Sequence, residues 1–239
     1  MSKEPRGRGV EDRVAALELA AEARARDLQT ALDQQTALLH ELDHRVKNNL
    51  QLISSLALMQ ARHAQDPAVR AALYRMQDRL AAMGVAHRRL FQTEDLGRFD
   101  LSDFVRDLVA ELSGSAGRPD VAVTCDLVPA PVASDKAAPL ALLINELLTN
   151  ALRHAFPEGR GGNVFVKILN DAGDLRIEIA DDGVGQSSEW ADGGGPELRF
   201  GLTIVELLAR QLQARIVRED ADPGLRVTVS LPRETRDEP

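Results

Sequence analysis

From about residue 10 to residue 63 the chain reads as one unbroken helix, and that length limits what it can fold into. Val14, Leu17, Ala21, Ala25, Leu28, Leu32, Leu39 and Leu42 recur at the three-four spacing of a coiled-coil seam, with Gln35 as a polar interruption. Glu, Asp and Arg fill many of the other positions. A charged helix this long with a narrow apolar stripe cannot bury that stripe alone, so it needs partner helices. Asp66-Pro67 supplies a turn and a new start, with Asp suited to the cap and Pro to the first turn. Beyond it, Val69, Leu73, Met76, Leu80, Met83, His87 and Leu90 repeat the spacing. The pattern predicts an antiparallel hairpin. Two hairpins would complete a four-helix bundle, so a homodimer is expected.

The second half changes character. A helix at 101–112, built on Leu101, Phe104, Val105, Leu108 and Leu112, precedes the breaker GSAGRPD. The alternating runs VAVTCDL, NVFVKIL, DLRIEIA and LRVTVSL then predict strands, the middle two forming a hairpin across Asn170-Asp171-Ala172-Gly173. Helices at about 136–155 and 201–213 lie between them. The fold class is α+β: an N-terminal coiled-coil helix and an antiparallel helical hairpin, followed by a two-layer α/β sandwich. The expected divisions are a disordered tail over 1–9, coiled coil over 10–37, hairpin over 38–97, sandwich over 98–234 and a tail over 235–239.

Composition narrows the function classes. A single cysteine among 239 residues, Cys125, excludes an internal disulfide framework and fits a reducing compartment. A formal charge of -8 and 3% aromatic residues argue against nucleic acid as a partner. No stretch approaches the ~20 apolar residues of a membrane span, and MSKEPRGRGV lacks the apolar core of a signal peptide. A cytoplasmic protein without a membrane partner is expected.

Two constellations carry chemistry. In His40-Glu41-Leu42-Asp43-His44-Arg45-Val46-Lys47-Asn48, about 100° per residue gathers Leu42, Val46, Leu50, Ile53 and Ala57 on one side. His44 falls nearly opposite, beside Asn48, Gln51 and Ser55, framed by Arg45 and Lys47. That frame suits a group carrying a phosphoryl anion. The same residues match the H-E-x-x-H zinc helix, but a catalytic zinc needs a third ligand and His63 lies far along the same helix. His87, on the apolar seam, reads as structural.

The second constellation begins in PLALLINELLTNALRHAF. Leu143, Leu147, Leu148, Ala151 and Leu152 form its apolar face, while Glu146, Asn150 and His154 step along one edge. They offer oxygen donors for a hard cation and a donor toward phosphate. Further on, Asp181 ends a strand and Gly183 and Gly185 follow. A buried carboxylate there can accept from an exocyclic amine such as that of adenine, and glycines let backbone approach a ligand. Gln186–Arg199, including Trp190-Ala191-Asp192, reads as a lid. Gly201-Leu202 is expected to open a helix whose N-terminus faces phosphates.

Across about residues 38–232 these segments resemble the sensor histidine kinases, specifically the HisKA_2/HWE-related subgroup. HRVKNNLQLISSL, PLALLINELLTNALRHAFP and DDGVG carry the resemblance. It implies a dimerisation and histidine-phosphotransfer hairpin over 38–97 and a GHKL-type ATP-binding catalytic domain over 98–234. It implies His44 as phosphoacceptor and Asn48 as the residue that orients water for dephosphorylation of the regulator. It assigns ATP binding to Glu146, Asn150, Arg153, His154, Asp181, Gly183, Gly185, Gly201 and Leu202, with Mg²⁺ on Asn150 and Glu146 beside it. The implied activity is ATP-dependent phosphorylation of His44, then transfer to an aspartate of a response-regulator receiver domain. Input would arrive from a separate sensor protein through the N-terminal coiled coil. Arg45 directly follows His44, so no acidic neighbour identifies the general base.

Two other classes compete. A phosphotransfer or phosphatase protein with a degenerate kinase body would not use ATP. The single glycine of Arg199-Phe200-Gly201-Leu202 favours it, while Asn150, Asp181 and Gly183 disfavour it. A dimeric scaffold leaves the polar patch around His44 without a purpose.

Overall fold

The computed structural model describes residues 8–92, 98–115, 118–171, 174–185 and 196–232. Residues 1–7 and 235–239 of the expected tails, and 186–195 of the lid expected over Gln186–Arg199, including Trp190-Ala191-Asp192, lie outside the described residues, while the last four lid residues, 196–199, are helical rather than part of a lid. Helix α1 runs Arg8–His63, so Arg8 and Gly9 are helical rather than part of a disordered tail. The chain forms two compact units, Met1–Asn49 and Leu50–Pro239, divided within α1. In the first unit the seam residues Leu17, Leu28, Leu32 and Leu42 are exposed and Leu39 is half-buried.

In the second unit α1 ends at His63 and α2 spans Pro67–Gln92, forming the hairpin. The Asp66 carboxylate accepts the Ala68 N–H at 2.8 Å, and Pro67 opens α2 where its missing N–H costs nothing. Arg70 ties the turn from the other side by donating to the Ala64 carbonyl at 2.9 Å.

Strand β1 (Arg98–Asp100) leads into α3 (Leu101–Ser115), β2 (Val121–Leu127) and β3 (Pro131–Ala133), with β1 and β3 paired antiparallel. Helix α4 (Ala137–His154) crosses to the hairpin β4 (Gly162–Asp171) and β5 (Asp174–Asp181). Helix α5 (Pro196–Gln211), β6 (Arg215–Asp220) and β7 (Leu225–Leu231) complete the domain. The five-stranded sheet has the order β2-β4-β5-β7-β6, parallel only at β2–β4.

Strand alternation selects one face for the core. Val164, Val166 and Ile168 of β4 sit in register with Asp181, Ile179 and Ile177 of β5, and the two isoleucines pair in turn with Val227 and Val229 of β7. The valines and isoleucines are buried against Leu140, Leu143, Ile144 and Leu147 of α4, Phe104 and Leu108 of α3, and Val205 and Leu208 of α5. Helices on one face of a sheet make the two-layer sandwich. Ala82, Val85 and Ala86 of α2 join the same core, so the second hairpin helix is packed into the domain.

Two expectations need correction. The edge strand β6 was not anticipated, because RIVRED alternates weakly and ends in charged residues suited to an exposed edge. Helix α5 begins at Pro196 rather than at Gly201, proline's fixed φ being suited to a first helical turn. Gly201 therefore lies inside the helix and does not mark its N-terminus. Among the described residues no helix is long and apolar enough to cross a membrane.

Candidate functional site

A cleft opens between α4 and the sheet. Asn150 and His154 contribute from α4, Asp181 and Ile179 from β5, and Leu202 from α5. Gly185, Arg218, Leu225 and Val227 close it from the turn after β5 and from β6 and β7. The walls are mostly aliphatic, with one buried carboxylate.

Asp181 is 7% exposed. Its Oδ1 accepts the N–H groups of Gly183 at 3.0 Å and Leu225 at 3.3 Å, which fixes the side chain. Burial pushes its carboxyl above the ordinary value, and the neighbouring Asp182 adds to this while the two backbone bonds oppose it. Asp182 has a different task. Burial pulls it upward too, but the backbone and side-chain N–H groups of Asn163, at 2.6 and 2.7 Å, outweigh that and hold it low.

The turn after Asp181 is pressed against the end of α4. A Cβ on Gly183 would stand 2.2 Å from the Ala155 carbonyl oxygen, which accepts the Val184 N–H at 2.9 Å. Only glycine fits. Gly224, in the turn before β7, is equally constrained: φ is +100°, and a Cβ would meet the Asp181 carbonyl oxygen at 1.8 Å. Sequence reasoning missed Gly224, Arg218, Leu225 and Val227. None belongs to a motif, although the Asp222-Pro223-Gly224 turn signal was legible.

Next to this cleft lies a polar recess lined by Asn145, Glu146, Thr149, Asn150, Arg153 and His154 of α4, Gly201 of α5, and Arg75 and Asp78 of α2. Asn150 and His154 thus border both spaces. Gly201 brings α5 close: a Cβ there would lie 3.5 Å from Glu146 Oε2 and 3.8 Å from Asn150 Oδ1. Asn145 is 1% exposed, and neither of its amide atoms has a hydrogen-bond partner among the described residues. An unsatisfied buried amide facing a recess is a feature of a site built for a polar ligand.

Two of the expected ligand-binding side chains are occupied by α2. Arg79 Nε donates to Glu146 Oε1 at 2.7 Å and its Nη2 to Oε2 at 2.8 Å. Arg153 Nη2 donates to Asp78 Oδ2 at 2.6 Å. Burial pushes the Asp78 carboxyl above its ordinary value despite the opposing pull of Arg153. Asn150 remains a suitable oxygen donor for Mg²⁺. Among the described residues no three His, Cys, Asp or Glu side chains gather, so a cation at Asn150 needs oxygens from its ligand as well. That donor set fits Mg²⁺ held jointly by protein and phosphate.

His44 and Asn48 lie in the first unit, both exposed and one helical turn apart. Arg45 is paired with Glu41 on the same helix.

Residues 41–116 match the family described as Histidine kinase, and residues 135–235 match the Histidine kinase-, DNA gyrase B-, and HSP90-like ATPase family. The chain belongs to the histidine kinases. Sensor histidine kinase PdtaS of Mycobacterium tuberculosis is 29% identical over 207 residues, covering 84% of this chain and 40% of PdtaS. Blue-light-activated histidine kinase 2 of Erythrobacter litoralis is 31% identical over 219 residues, covering 86% of this chain and 59% of that kinase. The chain thus spans only part of the length of these kinases. The solved histidine kinase domain of Erythrobacter litoralis EL346 superimposes with a TM-score of 0.60 at 19% identity, over 79% of this chain and 95% of that one. This histidine kinase shares its fold.

Proposed function

We propose that the chain is an ATP-dependent protein-histidine kinase of a two-component system that phosphorylates His44 and passes the group to an aspartate of a response-regulator receiver domain. One observation carries the reading: a buried carboxylate, Asp181, lies in an aliphatic cleft that adjoins the Glu146–Asn150 edge. The chemistry of the first suits a purine and that of the second a metal-bound triphosphate. The family ATPase domain implies ATP, and Mg²⁺ bound at Asn150, with Glu146 adjacent, would supply charge neutralisation for the phosphates.

The chain's own residues have separable tasks. Asp181 accepts from the adenine amine, Gly183 and Gly185 shape the turn beside it, and Leu202 packs at the mouth of the cleft. Arg153, His154 and Gly201 border the phosphate end. An unprotonated ring nitrogen of His44 attacks the γ-phosphorus in line. The N–P bond forms as the bond to ADP breaks, and the proton on the other ring nitrogen leaves to solvent. Asn48, one turn further on, orients water when the regulator is dephosphorylated.

The functional division follows the same lines: coiled coil over 10–37, phosphotransfer hairpin over 38–97 and catalytic domain over 98–234. Exposed Leu52, Ile53, Leu56 and Met59 on α1, with Val69, Met76 and Met83 on α2, support a homodimer through the hairpin. The seam at Leu17, Leu28 and Leu32 offers a helical surface through which input from a sensor would arrive. The test is incubation with γ-labelled ATP and Mg²⁺. The chain becomes labelled in an acid-labile, alkali-stable manner, and His44→Ala and Asn150→Ala each abolish it. Labelling that survives His44→Ala would overturn the assignment.

A further inference from the structure

Arg79 and Asp78 are absent from every motif, yet they pair with Glu146 and Arg153 of the polar recess, 67 and 75 residues away in the chain. They stand side by side on α2 with opposite charges. Their partners on α4, Glu146 and Arg153, also have opposite charges and lie two turns apart, on either side of Asn150. The match is complementary at both ends. At the Arg79–Glu146 end the side chains are only 15% and 5% exposed, so water screens this pair little.

Arg79 holds a third element as well. Its guanidinium carbon lies 5.2 Å from the centre of the Phe200 ring, next to Gly201 on α5. One side chain of the hairpin therefore bridges the two helices that border the phosphate end. Both Glu146 oxygens are taken up by the guanidinium. A carboxylate bound in this fork keeps one lone pair on each oxygen, and the adjacent positive charge makes both weaker donors to a metal or a metal-bound water. Asn145, beside it, is left with its amide unsatisfied.

We propose that these two ion pairs form an intramolecular clasp in which α2 competes with Mg²⁺-nucleotide for the Glu146 edge of the site. The proposal rests on the ATP reading above. The clasped form has the lower nucleotide affinity, and binding requires Arg79 to release Glu146. Clasp occupancy then sets the apparent affinity, because a site competent in only a fraction of molecules binds more weakly by that fraction. Any input that shifts α2 along or about its axis acts on the nucleotide site through these two pairs.

The experiment measures binding of a non-hydrolysable ATP analogue to the full chain by titration calorimetry, with Mg²⁺ and with EDTA. Arg79→Ala tightens binding by about tenfold in Mg²⁺, and the gain is smaller in EDTA, where no metal needs Glu146. Asp78→Ala, which leaves Arg79 and Glu146 untouched, tightens binding less but in the same direction. Arg79→Lys, keeping charge but losing the fork, falls between parent and Arg79→Ala. Circular dichroism melts confirm folding, and Asp78→Ala serves if Arg79→Ala fails to fold. If the parent binds and both alanine variants bind equally or more weakly, the clasp is overturned. If parent and variants all fail to bind, the ATP reading falls and the clasp with it.

Discussion

Asp181 shows a conflict between stability and function in one side chain. Its carboxyl is buried by Ile179, the Gly183 turn and β7, and burial raises it above the ordinary value. A raised carboxyl contributes stability fully below the unfolded value and loses it as pH rises through the folded one. Ionising the buried group is therefore a local cost, and on the ATP reading its use is to accept from a ligand. Asparagine is nearly the same size and retains an Oδ1 acceptor for Gly183 and Leu225. Asp181→Asn should melt at or above the parent temperature at pH 7, with the difference vanishing in acid below the ordinary carboxylate range. The same variant should bind ADP roughly ten- to a hundredfold more weakly, the loss expected for one hydrogen bond to a charged acceptor. Thermal melts across pH and calorimetry with ADP check both halves. A less stable variant with intact binding would make Asp181 structural only.

Among the elements, α3 shows how local chemistry sets a boundary. Asp100 ends β1, and its Oδ1 accepts the N–H groups of Ser102 at 2.8 Å and Asp103 at 3.4 Å, together with the Ser102 hydroxyl at 2.6 Å. Burial pulls the Asp100 carboxyl upward, but these bonds outweigh it and leave it below the ordinary value. A lowered carboxyl stabilises above the unfolded value and loses that contribution as pH falls through the folded one. Asp100→Ala should cost about 1 kcal/mol at neutral pH, as loss of a helix cap does. Urea unfolding should show the deficit shrinking in acid. Such elements were legible because their signals are local: Asp66-Pro67 at α2, alternation in β4 and β5, the apolar face of α4. The motif residues Asn150, His154, Asp181, Gly185 and Leu202 were legible too, and the fold gathers them around one cleft. The start of α5 was misplaced because a glycine was read as an opening signal. Here Gly201 provides close approach to Glu146 and Asn150 within the helix. Arg218 and the Arg79–Glu146 pair were not legible, since their significance depends on partners distant in sequence and brought together only by the fold.

At the scale of the whole molecule, the candidate nucleotide site and the hairpin face use different residues. The described residues lining the cleft and the recess come from α2, α4, α5, the sheet and its turns, and none belongs to the exposed apolar stripe of the hairpin. Leu52, Ile53, Leu56 and Met59 fall at three-four spacing on α1, and Val69, Met76 and Met83 at seven-residue intervals on α2, all exposed. A two-fold axis would bury the same stripe on both copies, which makes the interface self-complementary. Introducing a charge into such a stripe opposes association without disturbing a chain that already exposes the position. Leu56→Glu combined with Met76→Glu should shift sedimentation from dimer to monomer, with little change in helical content. Its affinity for a Mg²⁺-bound ATP analogue should stay within about twofold of the parent, since distant surface changes are close to neutral. A parent that sediments as a monomer, or a double variant that remains a dimer, would place the contact elsewhere. A monomer that loses nucleotide affinity would instead mean that dimerisation positions α2, and that the bundle acts on the site through Arg79.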